Sequence, residues 1–120
     1  MTVRAIRGAI QLDVDERGHL LDCTRELVTQ VMAANDLSTD ALISILFTVT
    51  ADLRSEFPAL AARELGLGDV PLLCTTEIDV PGAMPRVVRL MAHAEMDVPR
   101  EKVRHVYLRG AVGLRRDLAQ

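Results

Sequence analysis

Two charged residues, Glu77 and Arg89, stand inside otherwise apolar runs of the stretch LLCTTEIDVPGAMPRVVRLM, Leu72 to Met91. A carboxylate and a guanidinium on a largely buried face cost free energy unless they pair or serve a ligand. Between them, Asp79-Val80-Pro81-Gly82-Ala83-Met84-Pro85 holds two prolines and a glycine and reads as a loop. If the flanking runs form a simple antiparallel hairpin centred near Ala83, Glu77 and Arg89 face each other across it. Such an arrangement is either a cross-strand ion pair at a sheet surface or the charged part of a site.

Other catalytic signatures are missing: there is no Gly-rich phosphate loop, no HExxH, no CxxC and no serine nucleophile elbow. His105 lies close enough to Tyr107 to suggest a general base, but a single strand histidine reads first as structural. Cys74 has no cation near it in sequence to favour its thiolate, and it reads as a small buried hydrophobe. What remains is Arg7, Arg63, Arg89, Arg115, Glu77, Cys74 and Tyr107, a set rich in forks for carboxylates and poor in proton shuttles. A site built from it binds a small polyanion and acts by electrostatics. Arg4, Arg104, Arg109 and Arg116 fit that description equally well, and spacing does not choose among them.

The elements that must position these residues follow from periodicity. Thr2 to Leu12 alternates as a strand, with Arg7 next to a glycine, Gly8, where another element can approach the backbone closely. From about Asp15 to Asn35 the period becomes helical: Leu20, Leu27, Val31 and Ala34 form a stripe flanked by Leu21, Val28 and Met32. Asp13 or Asp15 is expected to cap that helix, Asn35 to end it, and His19 to lie exposed in the first turn. A second strand spans Leu42 to Thr50, with Ile43, Ile45, Phe47 and Val49 on one face and Ser44, Thr48 and Thr50 on the other. Phe57 to Gly66 reads as a helix of about two turns framed by Pro58 and Gly66. Strands are expected at about Leu72 to Ile78, at Val87 to Met96 and at Arg104 to Ala111. The order predicts an α+β fold, with a five-stranded sheet, one long helix and one short helix. So few helices leave one sheet face uncovered, which points to an oligomer.

The totals narrow the partners. A chain of 120 residues, of which 49% are hydrophobic, makes one domain, 1–120, with a core of its own. A net charge of −3 and only three aromatic residues, Phe47, Phe57 and Tyr107, argue against nucleic acid as a partner. Two cysteines without metal spacing, no signal-peptide pattern and no apolar run of membrane-spanning length point to a reducing, cytoplasmic setting with no membrane.

Over nearly its whole length the sequence resembles the small monofunctional, trimeric chorismate mutases, as distinct from the all-helical kind. The resemblance rests on RAIRGA at Arg4 to Ala9, TADLRSEFPALAARELG at Thr50 to Gly66, VPLLCTTEIDVPGAMPRVVRLM at Val70 to Met91, and DVPREKVRHVYLRGAVGLRRDL from Asp97. It implies a mixed sheet with the long helix packed on it, three chains assembling into a barrel-like trimer, and clefts between neighbouring subunits. It also implies rearrangement of chorismate to prephenate without cofactor, metal or covalent intermediate. By matching positions, Arg89 faces the breaking ether bond, Glu77 and Cys74 contact the ring hydroxyl, and Arg7, Tyr107 and Arg115 hold the carboxylates. Phe57, Ala59, Arg63, Leu72 and Leu114 fall on or near the pocket wall, Phe57 and its neighbours coming from the adjacent chain. The sequence departs from the family pattern at Leu60, in place of a lysine, and at Leu73, in place of a threonine. Two other readings compete: an imine or enamine deaminase on a related trimeric scaffold, and a non-catalytic trimeric module that binds a small carboxylate.

Overall fold

The computed structural model describes residues 2–114. Five strands, β1 (Val3–Gln11), β2 (Leu42–Val49), β3 (Leu72–Thr76), β4 (Val87–Glu95) and β5 (Val106–Leu108), form one mixed sheet in the order β3-β2-β4-β1-β5. Helix α1 (Arg17–Ala34) joins β1 to β2, and the short α2 (Pro58–Ala62) lies between β2 and β3. The expected α+β fold is therefore present. β4 is the centre of the sheet, antiparallel to both β1 and β2, while β2/β3 and β1/β5 are parallel pairs.

That order overturns the hairpin expected between β3 and β4, because β2 lies between them. The physical reason is the connection through α2. A helical crossover returns the chain parallel to β2 on its outer side, so the segment after β3 must pass β2 to reach β4. Gly82 at φ 86° allows the turn within that segment, where the Ala83 N–H donates to the Val80 carbonyl at 3.0 Å. Both Asp52 oxygens accept from the Arg86 N–H at 3.2 and 3.0 Å and fix the entry to β4.

Alternation along the strands separates two sheet faces. Ile6, Ile10, Ile45, Phe47, Val88, Leu90 and Ala92 pack with Leu20, Leu27, Val28 and Val31 of α1 in one buried cluster. Each of the larger side chains among them, Val, Leu, Ile and Phe, contributes about 1.5–3 kcal/mol of burial. The close approach foreseen at Gly8 is that of α1: a Cβ on Gly8 would lie 3.1 and 3.2 Å from the Val31 and Leu27 side chains. The opposite face carries Arg7, Ala9, Leu46, Thr48, Leu73, Arg89 and Met91; the 3-10 turn Arg109–Gly113 packs against Ala9 through Ala111, and no α-helix covers the rest among the described residues.

Several details differ from the sequence reading. Ile43 is exposed instead of facing the core, because an irregularity between Leu42 and Ser44 shifts the register and turns Leu42 inward. Ala34 is exposed at the end of α1. The cap of α1 is Glu16, whose carboxylate accepts from the N–H groups of Gly18 and His19 at 2.6 and 3.1 Å. Asp15 instead accepts from the N–H groups of Arg54 and Ser55. His19 is half-buried, its Nε2 accepting from the Asp13 N–H at 3.0 Å. Asn35 does close the helix and bonds the backbone of Arg104 through both ends of its amide. The last strand stops at Leu108, where Arg109 adopts φ 55° and the chain enters a 3-10 turn. Among the described residues no helix is long and apolar enough to cross a membrane.

Candidate active site

On the uncovered face, the strand registers line up Tyr107 of β5, Ala9 of β1, Arg89 of β4 and Thr48 of β2 as successive cross-strand neighbours. A cleft of about 290 Å³ forms there, lined by Arg7, Gly8, Leu46, Thr48, Glu77, Arg89, Leu90, Met91 and Tyr107. A second depression of about 250 Å³, between the residues after β2 and those before β4, contains none of the residues singled out from the sequence.

Glu77 lies just past the end of β3. Its N–H donates to the Val49 carbonyl at 2.8 Å, and its Oε2 accepts from the Thr48 hydroxyl. Arg89 Nε stands 3.9 Å from the same Oε2, an ion pair by proximity but too long for a hydrogen bond. The meeting of Glu77 and Arg89 is thus real, but it spans β2 and does not use a hairpin. Arg89 Nε is enclosed and finds no hydrogen-bond partner among the described residues, although the side chain as a whole is 40% exposed. The rest of its guanidinium, the Arg7 guanidinium and the Tyr107 hydroxyl also make no hydrogen bond among the described residues. Three donor groups therefore face a cleft with their bonds unspent, and Glu77 supplies an acceptor.

The histidine near this region makes a structural contact: His105 Nδ1 accepts the Arg7 N–H at 2.9 Å and ties the approach to β5 onto β1. Tyr107 is buried with Ala9, Val87 and Ala111, and Leu114 packs against the same small cluster. Arg115 lies outside the described residues.

The other candidates sit elsewhere in the chain. Leu72 and Cys74 are paired with Ile45 and Phe47 and pack toward the α1 side, so Cys74 is not in the cleft of Glu77 within one chain. Ala59 is buried in α2, which packs against α1 and β3; Phe57, immediately before it, is 67% exposed, and Arg63, immediately after it, is exposed. Glu56 holds that entry: it accepts from the Phe57 N–H at 2.9 Å and pairs with Arg17 at 2.8 Å. These two contacts, in that order, lower its carboxyl below the usual 4.5. In α1, burial in the core raises the thiol of Cys23, which is therefore no activated nucleophile.

Sequence reasoning missed the role of Thr48, which it read only as a polar residue punctuating a strand face. Its signal was present: a hydroxyl on the same strand face that must also carry a partner for any charge on the neighbouring strands.

The chain matches the model of chorismate mutase type I over residues 3–118. It is 50% identical to the chorismate mutase AroH of Thermus thermophilus over 117 residues, covering 97% of this chain and 96% of the relative. It is 38% identical to the chorismate mutase AroH of Bacillus subtilis over 120 residues, covering 99% and 94%. A solved chorismate mutase from Clostridium thermocellum superposes with a TM-score of 0.88 at 41% identity, covering 89% of this chain and 96% of that one. With the fold, the open-faced cleft and nearly full-length similarity in agreement, the chain belongs to the type I chorismate mutases.

Proposed function

We propose that this protein converts chorismate to prephenate, an isomerisation in aromatic amino-acid biosynthesis. The observation that carries the proposal is the set of unspent donors on Arg7, Arg89 and Tyr107 around one cleft, with the Glu77 carboxylate opposite. The substrate carries two carboxylates, an ether oxygen and a ring hydroxyl, and these four groups call for that mixture of donors and acceptor. The reaction redistributes bonds within one molecule, with no change of oxidation state and no net proton transfer. A rigid binding site is therefore sufficient.

Arg89 faces the ether oxygen, where negative charge builds as the C–O bond lengthens. Its guanidinium is already in place, so the stabilisation grows toward the transition state without reorganisation. Glu77 accepts from the ring hydroxyl. Arg7 and Tyr107, with Arg115, hold the carboxylates and keep the enolpyruvyl chain folded over the ring, removing its freedom before reaction. Phe57, Ala59, Arg63, Leu72 and Cys74 complete the site from the neighbouring chain of a trimer, and Leu114 closes one wall. The trimer reading is supported by the open sheet face, with Leu73 65% and Val3 54% exposed, and by the exposed Phe57 and Arg63, which do not line the cleft of their own chain. The enzyme works as a single-domain protein in the cytoplasm.

The test is to mix purified protein with chorismate and follow its loss together with prephenate formation. Turnover by the wild type and its loss in Arg89→Ala is the expected result; a folded protein that binds chorismate without turnover would instead be a carboxylate-binding module.

A further inference from the structure

Glu77 is less well held by the sheet than the other charged residues of the cleft. It lies beyond the last residue of β3, and Ile78, Asp79 and Val80 after it are exposed. One backbone bond, to the Val49 carbonyl, fixes its main chain. Its carboxylate has one hydrogen bond among the described residues, from the Thr48 hydroxyl. Thr48 is itself fixed on β2 between β3 and β4, paired with Thr75 on one side and Arg89 on the other.

The oxygen that Thr48 engages, Oε2, is also the one nearest Arg89, at 3.9 Å from Nε. Opposite charges at that separation attract, and a carboxylate free to move would close onto the guanidinium in a bidentate pair. Closure would consume the donors of Arg89 and cancel its charge at the place where charge must develop. A hydroxyl donor on the same oxygen competes with it.

We infer that Thr48 is a positioning residue: its hydroxyl holds Glu77 back from Arg89, leaving the guanidinium donors without a hydrogen bond to Glu77 and so available to the reacting oxygen, and the other Glu77 oxygen to the ligand hydroxyl. The inference rests on the proposed mutase reaction for its kinetic effect, but its geometric effect is independent of any activity. In this role Thr48 acts through Glu77, the acceptor of its hydroxyl.

Three variants test it. Thr48→Val keeps the shape and the β-branch and removes the donor; it should lower kcat by about tenfold or more, the usual loss for a hydrogen bond to a charged group, with the melting temperature close to wild type. Thr48→Ser, which keeps the donor, should recover most of kcat. In a Glu77→Ala background, Thr48→Val should cost less than about twofold, because its target is gone. An equal loss in both backgrounds, or wild-type kcat in Thr48→Val, overturns the inference. If Thr48→Val fails to fold, the comparison of Thr48→Ala with Thr48→Ser replaces it. A crystal structure of the valine or alanine variant should show Glu77 within hydrogen-bond distance of Arg89; an unchanged separation overturns the inference even without an activity assay. Absence of turnover in the wild type counts against the mutase reading and leaves this structural outcome to be judged separately.

Discussion

Arg89 and Leu90 are neighbours in β4, yet they belong to two different environments. Leu90 is 4% exposed beneath α1, in a layer where every strand contributes an aliphatic side chain. Arg89 points to the other face, beside Thr48 and Ala9, with no helix above it among the described residues. The covered face is complete within one chain and is held by area, which tolerates substitution by side chains of similar volume. The open face differs: among the described residues the donors of Arg7, Arg89 and Tyr107 make no side-chain hydrogen bonds, and Phe57 and Arg63, which the proposed function assigns to the site, do not line its cleft. The face finished internally serves stability, whereas the open one is where the proposed function places the ligand and a neighbouring chain.

The most direct way to break this comparison is to remove the central charge of the open face. Arg89→Ala should lower kcat by at least about a hundredfold, the usual loss for one preorganised donor, while thermal melting stays near wild type. A large drop in melting temperature would place Arg89 among the structural residues.

A second prediction sharpens the idea that the open face is completed by another chain. Arg89→Ala and Arg63→Ala disable opposite halves of the proposed shared site. When the two inactive variants are unfolded together and reassembled as mixed trimers, about a quarter of the sites should pair two intact halves, so that activity returns. No recovery in mixed trimers would mean that both halves act within one chain.

Thr48→Val, with its loss of about tenfold or more, ranks next and tests the inner organisation of the cleft. His105→Ala contrasts with it. The bond from the Arg7 N–H to His105 joins two elements without reaching the cleft, so the substitution should cost about 1 kcal/mol of stability and leave kcat little changed.

The smallest effect concerns the α2 edge. The folded state lowers the Glu56 carboxyl below 4.5 through the Phe57 N–H and Arg17. A depressed carboxyl contributes stability above its unfolded value and loses that contribution as pH falls through its folded value. Glu56→Gln should therefore melt slightly below wild type at neutral pH, with the difference vanishing in acid; a constant difference at all pH values would assign it to packing.

The sequence alone determined the number and kind of the main elements, because alternation in β1, β2 and β4 and the 3.6-residue stripe of α1 are local properties of the chain. It also pointed to an electrostatic site, since the residues left after the catalytic signatures were ruled out were arginines, a tyrosine, a cysteine and a lone carboxylate. It did not determine which arginines converge; the resemblance to a known family chose those. Local pattern also misplaced Ile43, because a one-residue irregularity in β2 reverses the faces without changing composition.

Only the tertiary structure decided that β2 separates β3 from β4, that Glu77 therefore reaches Arg89 across Thr48, and that Cys74 and Glu77, three positions apart, face different sides of the sheet. These relations depend on which strands pair and in what register. Pairing is set by how α1 and α2 cover the sheet, a property of the whole packed chain that no window of residues contains.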